Sequence, residues 1–172
     1  LTRASLALRG LRPSVEDLQA VQADPSVLGG IVDGYLATPE FGATIREMHD
    51  EALLLRVEDN LFTFPATATF TGHTAYEVND SWTGEALRLI EDIVMTDQPY
   101  TKVVTADYTM SNATNAQIWG YTHTGPANQW TRTPFPDARG AAGVLGVEAI
   151  YHRHRSAGFN YNRGRANLIS GA

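Results

Sequence analysis

Three times in its N-terminal quarter the chain sets a short polar side chain next to a proline: Pro13-Ser14, Asp24-Pro25 and Thr38-Pro39. Ser14 can accept from the free amides of a starting helix, with Asp17 three residues on, near the positive helix end. Asp24-Pro25 and Thr38-Pro39-Glu40 read as caps followed by proline at the first helical position. Each proline also stops whatever precedes it, so a long strand or a long continuous helix is excluded here. The apolar residues between these signals recur at helical spacing. Val27, Leu28, Ile31, Val32, Tyr35 and Leu36 form one stripe, and Phe41, Ile45, Met48, Ala52 and Leu55 another. A chain that begins this way is predicted to fold as successive short helices.

Further on, Ala86, Leu87, Ile90, Ile93 and Val94 predict a helix over 84–95. Pro99 starts a short helix ending near Thr105, and Asn112 caps another through Trp119, with Gly120 as its stop. Helices over 144–154 and from about 162 finish the chain. Between them lie Phe62, Phe64, Phe70 and a run of threonines without helical period, and then Gly125, Pro126, Pro134, Pro136, Gly140 and Gly143. The fold class expected is therefore mainly α, a single helical domain over 1–172 with long irregular loops at about 60–81 and 121–143. The roughly 30 residues beyond the second loop are too few for a domain of their own.

Composition narrows the chemistry. With no cysteine among 172 residues the chain holds no disulfide, no thiolate metal site, no cysteine nucleophile and no covalent haem attachment. A net charge of −6 argues against nucleic acid as a partner, which needs a basic footprint. No stretch approaches the roughly 18 apolar residues of a membrane helix. Leu1-Thr2-Arg3 lacks the basic and apolar pattern of a signal peptide. Of thirteen cations Lys102 is the one lysine, and after Glu148 every ionised side chain is positive. Charge at that end favours an anionic partner or cofactor.

Several groups are candidates for function. His152 and His154 are a metal suggestion, but residues two apart on a helix diverge by about 200°, so they point apart unless the stretch is extended. His49, beside Asp50 and Glu51, and the loop residues His73 and His123 are candidates for a metal-assisted or hydrolytic enzyme. The alternative for His49 is a solvated helix face. No serine lies in G-x-S-x-G, and Arg139-Gly140-Ala141-Ala142-Gly143 has neither the phosphate-loop lysine nor dinucleotide spacing. Asn160, Asn162, Arg163, Arg165 and Asn167 gather donors that suit a carboxylate or phosphate. Those arginines could equally pair with the acidic helices at 40–59 or 85–92. Trp82, Trp119 and Trp130 could serve as stacking platforms for an extracellular glycan, although core packing also accounts for them.

Three segments together resemble a known group. "LALRGLRPSVEDLQAV" followed by "IVDGYLATPEFG" is similar to an L-x-G-L-x-P-[ST]-x-E phrase that precedes L-L-x-[ST]-P-x-[FY]-G. "LRLIEDIVMTDQPYTKVVTADYTMSNATNAQIWGY" resembles N-D-R-P-[FY]-T-x-[IL]-x-T-A-D-Y-T joined to N-x-x-L-A-x-x-Y-G. "GAAGVLGVEAIYHRHRSAGFNYNRGRANLI" is similar to the segment that follows in the same group. The group comprises bacterial secreted domains of unknown function that accompany c-type cytochrome domains, planctomycete-type helical modules without internal repeats. The resemblance implies a periplasmic or secreted, non-catalytic module packed within or beside a cytochrome assembly. In that group a C-x-x-C-H commonly follows the arginine-bearing segment, whereas this chain has no cysteine. Haem c is thus expected in a partner or a following domain and not in this chain. Arg163 and Arg165, with Asn160 and Asn162, are the implied contacts to haem propionates or to an acidic cytochrome surface.

Overall fold

A helix with a wide apolar face has to bury that face against the rest of the chain. The second half of α5 (Ala75–Met95) carries such a face: Leu87, Leu89, Ile90 and Ile93 expose no surface at all. Each of these side chains removes from water an area worth roughly 1.5–3 kcal/mol. The structure, a computed structural model, describes residues 1–56, 68–137 and 139–153, the side chains of residues 152 and 153 excepted. Its main core gathers Ile45, Leu55, Met110, Tyr121, Phe135, Val144 and Ile150 around α5. A second, smaller cluster of Val78, Trp82 and Ile118 lies near the start of the same helix.

The first four helices are α1 (Thr2–Arg9), α2 (Val15–Ala23), α3 (Leu28–Leu36) and α4 (Pro39–Leu53). The three predicted caps form at the starts of α2, of the 3-10 turn Pro25–Val27 that leads into α3, and of α4. Ser14 accepts from the Asp17 amide at 3.0 Å, Asp24 from that of Ser26 at 2.9 Å, and Thr38 from that of Phe41 at 3.4 Å. α4 packs along α5, and α1 packs against α3 and α4. A polar cluster links α1, α2 and α3. Arg9 lies over the Tyr35 ring at 3.6 Å and donates to Ser5, while the Tyr35 hydroxyl donates to Asp17 at 2.7 Å.

The expected apolar faces are only partly packed. On α3 only Tyr35 is buried, with Leu28 and Leu36 exposed, and α2 buries nothing. Along α4 Ile45 is buried but Met48 is 58% exposed.

Beyond α5 the chain forms α6 (Lys102–Thr105), β1 (Tyr108–Ser111), α7 (Ala113–Trp119), β2 (Thr131–Pro134) and α8 (Glu148–Arg153). Asn112 and Asn115 make a reciprocal cap for α7, and Gly120 closes it in the left-handed region with φ 74°. β1 and β2 pair antiparallel in the register Tyr108↔Pro134 to Ser111↔Thr131. The fold is thus mainly α with a two-stranded ribbon.

The structure corrects three boundaries. Residues 75–81, expected in the first irregular loop, are the first turns of α5. A capping box starts them: Thr74 accepts from the Glu77 amide at 3.2 Å, and Glu77 accepts from the Thr74 amide at 2.7 Å. The second expected loop contains β2, because Thr131 and Thr133 find backbone partners on β1. The single helix expected over 144–154 is a short 3-10 turn, Gly143–Gly146, then extended Val147, then α8. The part of the first loop at 60–67 and the helix from about 162 lie outside the described residues.

Candidate functional site

In the middle of the buried stripe of α5, where Val78, Trp82, Leu89 and Ile93 are apolar, stands a carboxylic acid. Glu85 is 1% exposed. Three elements deliver donors to it. Thr109 of β1 donates to Glu85 Oε1 at 2.7 Å, the Tyr121 hydroxyl donates to the same oxygen at 3.1 Å, and Asn115 of α7 donates to Oε2 at 3.4 Å. The Asn115 amide also donates to the Met110 carbonyl at 3.1 Å, which fixes its orientation.

Burial penalises the charged form and pushes the Glu85 carboxyl up to about 7. The hydrogen bonds from Thr109, Tyr121 and Asn115, and the more distant Arg139 charge, act in the opposite direction. Tyr121 is held above its ordinary value by its own burial and by Glu85 beside it. Such a carboxyl can hold or release a proton near neutral pH. Access is what it lacks: Thr109 and Asn115 are fully buried, and Tyr121 is nearly so. The arrangement fastens β1, α7 and the start of the following loop to α5.

No protein-family model, curated protein or solved structure matches the chain. Its function is therefore read from its own geometry.

At the surface, a groove of about 660 Å³ runs between α1 and α4. Leu11, Met48 and Leu54 give it an apolar floor, while Glu40, Glu47, Asp50 and Glu51 border it. Asp50 is half-buried there, and that burial raises its carboxyl above the usual range despite Arg56 nearby. A second groove of about 480 Å³ lies between Arg139 and Tyr151. Neither groove is lined by Glu85.

The histidines expected to serve an enzyme stand on separate elements. His49 on α4 bonds through Nδ1 to the Ile45 carbonyl at 2.7 Å, and through Nε2 to the Tyr100 hydroxyl at 2.7 Å. His123 lies within hydrogen-bond distance of the Pro126 carbonyl and the Thr131 hydroxyl. His73 sits just before α5, half-buried. None of the three forms an ion pair or hydrogen bond with a carboxylate among the described residues. The same residues contain no group of three or more His, Asp or Glu side chains placed to hold a metal ion.

Trp82 and Trp119 pack together with ring centroids 5.8 Å apart, and Trp130 lies against Gly84. Trp82 is buried, while Trp119 and Trp130 are partly buried against the core. Arg163, Arg165, Asn160, Asn162 and His154 lie outside the described residues, as does the side chain of His152. The alternative partners proposed for those arginines are partly engaged already. Glu91 accepts from Arg46 and Arg88, and Asp92 accepts from Arg132 through both carboxylate oxygens. Among the described residues no helix is long and apolar enough to cross a membrane.

Glu85 was missed at the level of sequence, although a signal existed. One carboxylate stands at the i+7 position of the stripe Val78-Trp82-Leu89, with apolar Val78, Trp82 and Leu89 beside it on that face.

Proposed function

We propose that the chain is a non-catalytic interaction module of an extracytoplasmic assembly, with a c-type cytochrome as its partner. One observation carries this reading. The layer formed by α1 to α4 and the turns between them leaves Leu6, Leu11, Val15, Leu18, Leu36 and Met48 exposed, apolar surface that the other described residues do not cover. Apolar surface gathered in one layer is characteristic of a face that meets another protein. Support for a cytochrome in particular comes from the ordered resemblance along the chain. The haem belongs to the partner on this reading, since the chain has no cysteine to attach one.

The test is to isolate the protein in its native assembly and record intact mass and haem absorbance on the same sample. The expected result is a complex holding haem in fixed ratio to this chain. Val15→Glu combined with Leu18→Glu, on a helix that buries nothing, is expected to release the haem protein while leaving the unfolding midpoint near the parent's. A folded, stable native protein that never carries haem or any second chain would overturn the reading. The enzyme reading gains less support, since its three histidines stand on separate segments without a carboxylate partner among the described residues. A stoichiometric metal retained by the native protein and lost on His49→Ala or His123→Ala would favour it instead.

A further inference from the structure

On α4, Glu40, Glu47 and Glu51 recur at i, i+7 and i+11, which places them along one edge of the helix. That edge borders the groove against α1. Beneath it lie Leu11, 50% exposed, Met48, 58% exposed, and Leu54, 43% exposed. The cations at this groove are already occupied. Arg9 is stacked on Tyr35 and donates to Ser5, and Arg56 lies 3.9 Å from both Glu47 and Asp50. Glu40 and Glu51 have no hydrogen-bonding or ion-pair partner through their carboxylates among the described residues. Four carboxylates against two guanidiniums leave the border with a net charge of about −2.

An apolar floor under a border of one sign selects its ligand on two counts. The floor gains only by removing apolar side chains from water. The border repels phosphate-bearing and other anionic surfaces and attracts lysine or arginine, acting chiefly on association rate and on choice of partner. A volume of about 660 Å³ suits several side chains of an inserted segment and is too small for a whole domain face. We infer that the groove between α1 and α4 docks a basic amphipathic segment of a protein partner, apolar on one side and lysine- or arginine-bearing on the other. The inference rests on the interaction-module reading and assigns one place on its surface.

The experiment titrates the full chain into a fluorescein-labelled synthetic peptide of leucine and lysine in amphipathic helical order. The same peptide with glutamate in place of lysine serves as its counterpart. The lysine peptide is expected to bind, with the largest methyl shifts at Leu11, Met48 and Leu54, and the glutamate peptide is not. Glu47→Lys combined with Glu51→Lys, and separately Met48→Asp, are each expected to weaken binding by at least about tenfold. Glu16→Lys combined with Asp33→Lys changes net charge equally, away from the groove, and is expected to leave binding unchanged.

Equal weakening by that control pair would reduce the effect to overall charge and overturn the inference. So would groove variants that bind as the parent does. Arg163→Glu combined with Arg165→Glu in the full chain provides another arm. If it tightens the peptide about tenfold, the groove serves the chain's own C-terminal residues and docking of a partner there is refuted. Failure of the two readings is distinguishable. Groove variants that keep the native haem protein bound sink the groove alone. A native protein without any partner, whose groove still takes the lysine peptide, sinks the module reading instead.

Discussion

The Tyr121 hydroxyl donates to Glu85 across 3.1 Å inside the core, on the same carboxylate oxygen that Thr109 reaches at 2.7 Å. Only donors surround this acid: two hydroxyls and one amide converge from three separate elements. A protonated carboxyl carries one O–H, and either hydroxyl, able to accept as well as donate, can receive it.

That geometry fixes the sign of a pH effect. The unfolded chain releases the Glu85 proton near 4.5, whereas the folded chain holds it up to about 7. Below the lower value both states are protonated and the contribution is complete. Between the two, only the folded state keeps its proton, so stability falls as pH rises, by an amount on the order of 3 kcal/mol. Above the upper value nothing further is lost. Glu85→Gln keeps an oxygen for Thr109 and Tyr121 but cannot ionise. Its urea midpoint should match the parent's near about pH 4.5 and exceed it near about pH 7.5. The comparison of parent with variant is what matters, since carboxylates held low, such as Asp24 and Glu77, push the parent the other way. Parallel curves for the two proteins would remove Glu85 as the source.

Gly84 packs against the Trp130 indole. A Cβ there would stand 2.8 Å from Trp130 Cζ2 and 3.1 Å from Cη2. Alanine in a helix interior normally gains about 1 kcal/mol over glycine, but overpacking costs about 1–3 kcal/mol. Gly84→Ala is therefore expected to lower the unfolding free energy by about 1 kcal/mol and to alter the near-UV circular dichroism of the tryptophans. The sign should reverse when Trp130→Leu is introduced first, because the ring that opposes the methyl is gone. A destabilisation that persists in that background would assign the cost elsewhere.

The sequence disclosed local structure well and mutual placement poorly. Ser14, Asp24, Thr38 and Asn112 act as caps because a cap is a contact within three residues, written in the chain itself. Thr74 and Glu77 obey the same rule, yet the Phe- and Thr-rich residues before them hid the signal. β2 was hidden for a different reason. Thr131 to Pro134 has no strand-like apolar alternation, and it pairs because Tyr108 to Ser111 lies beside it. The α1–α4 groove is likewise a relation between two helices, and no spacing along the chain encodes it. Glu85 lies between these cases: its position in the stripe was readable, its donors were not.

Gly143 has a backbone reason to be glycine. Its φ is +50°, and a Cβ there would overlap the Val103 carbonyl oxygen. The segment cannot withdraw easily, since the Ala142 and Gly143 amides both donate to the Ala106 carbonyl, at 3.1 and 3.0 Å. Gly143→Ala is expected to cost about 3 kcal/mol or more. Hydrogen exchange should show the loss first at the Ala142 and Gly143 amides. A variant with the parent's midpoint would mean that the turn can relax away from Val103.

Asp92 joins the end of α5 to the ribbon. It accepts from Arg132 Nε at 2.8 and 2.9 Å and from the Tyr108 hydroxyl at 2.8 Å. Arg132 adds a bond to Thr96 at 2.9 Å, but its side chain is 47% exposed, against 15% for Asp92. The two partners should therefore differ in weight. Arg132→Ala removes an ion pair that water screens and is expected to cost less than about 1 kcal/mol, shrinking further in salt. Asp92→Ala also takes the acceptor from a half-buried tyrosine hydroxyl, and is expected to cost about 2 kcal/mol with little response to salt. The double variant should lose less than the sum, because both substitutions break one shared pair. Urea unfolding of the three variants at low and high salt measures this. Equal losses for the two single variants would mean that the Tyr108 bond contributes nothing and that the contribution of Asp92 comes from its pair with Arg132 alone.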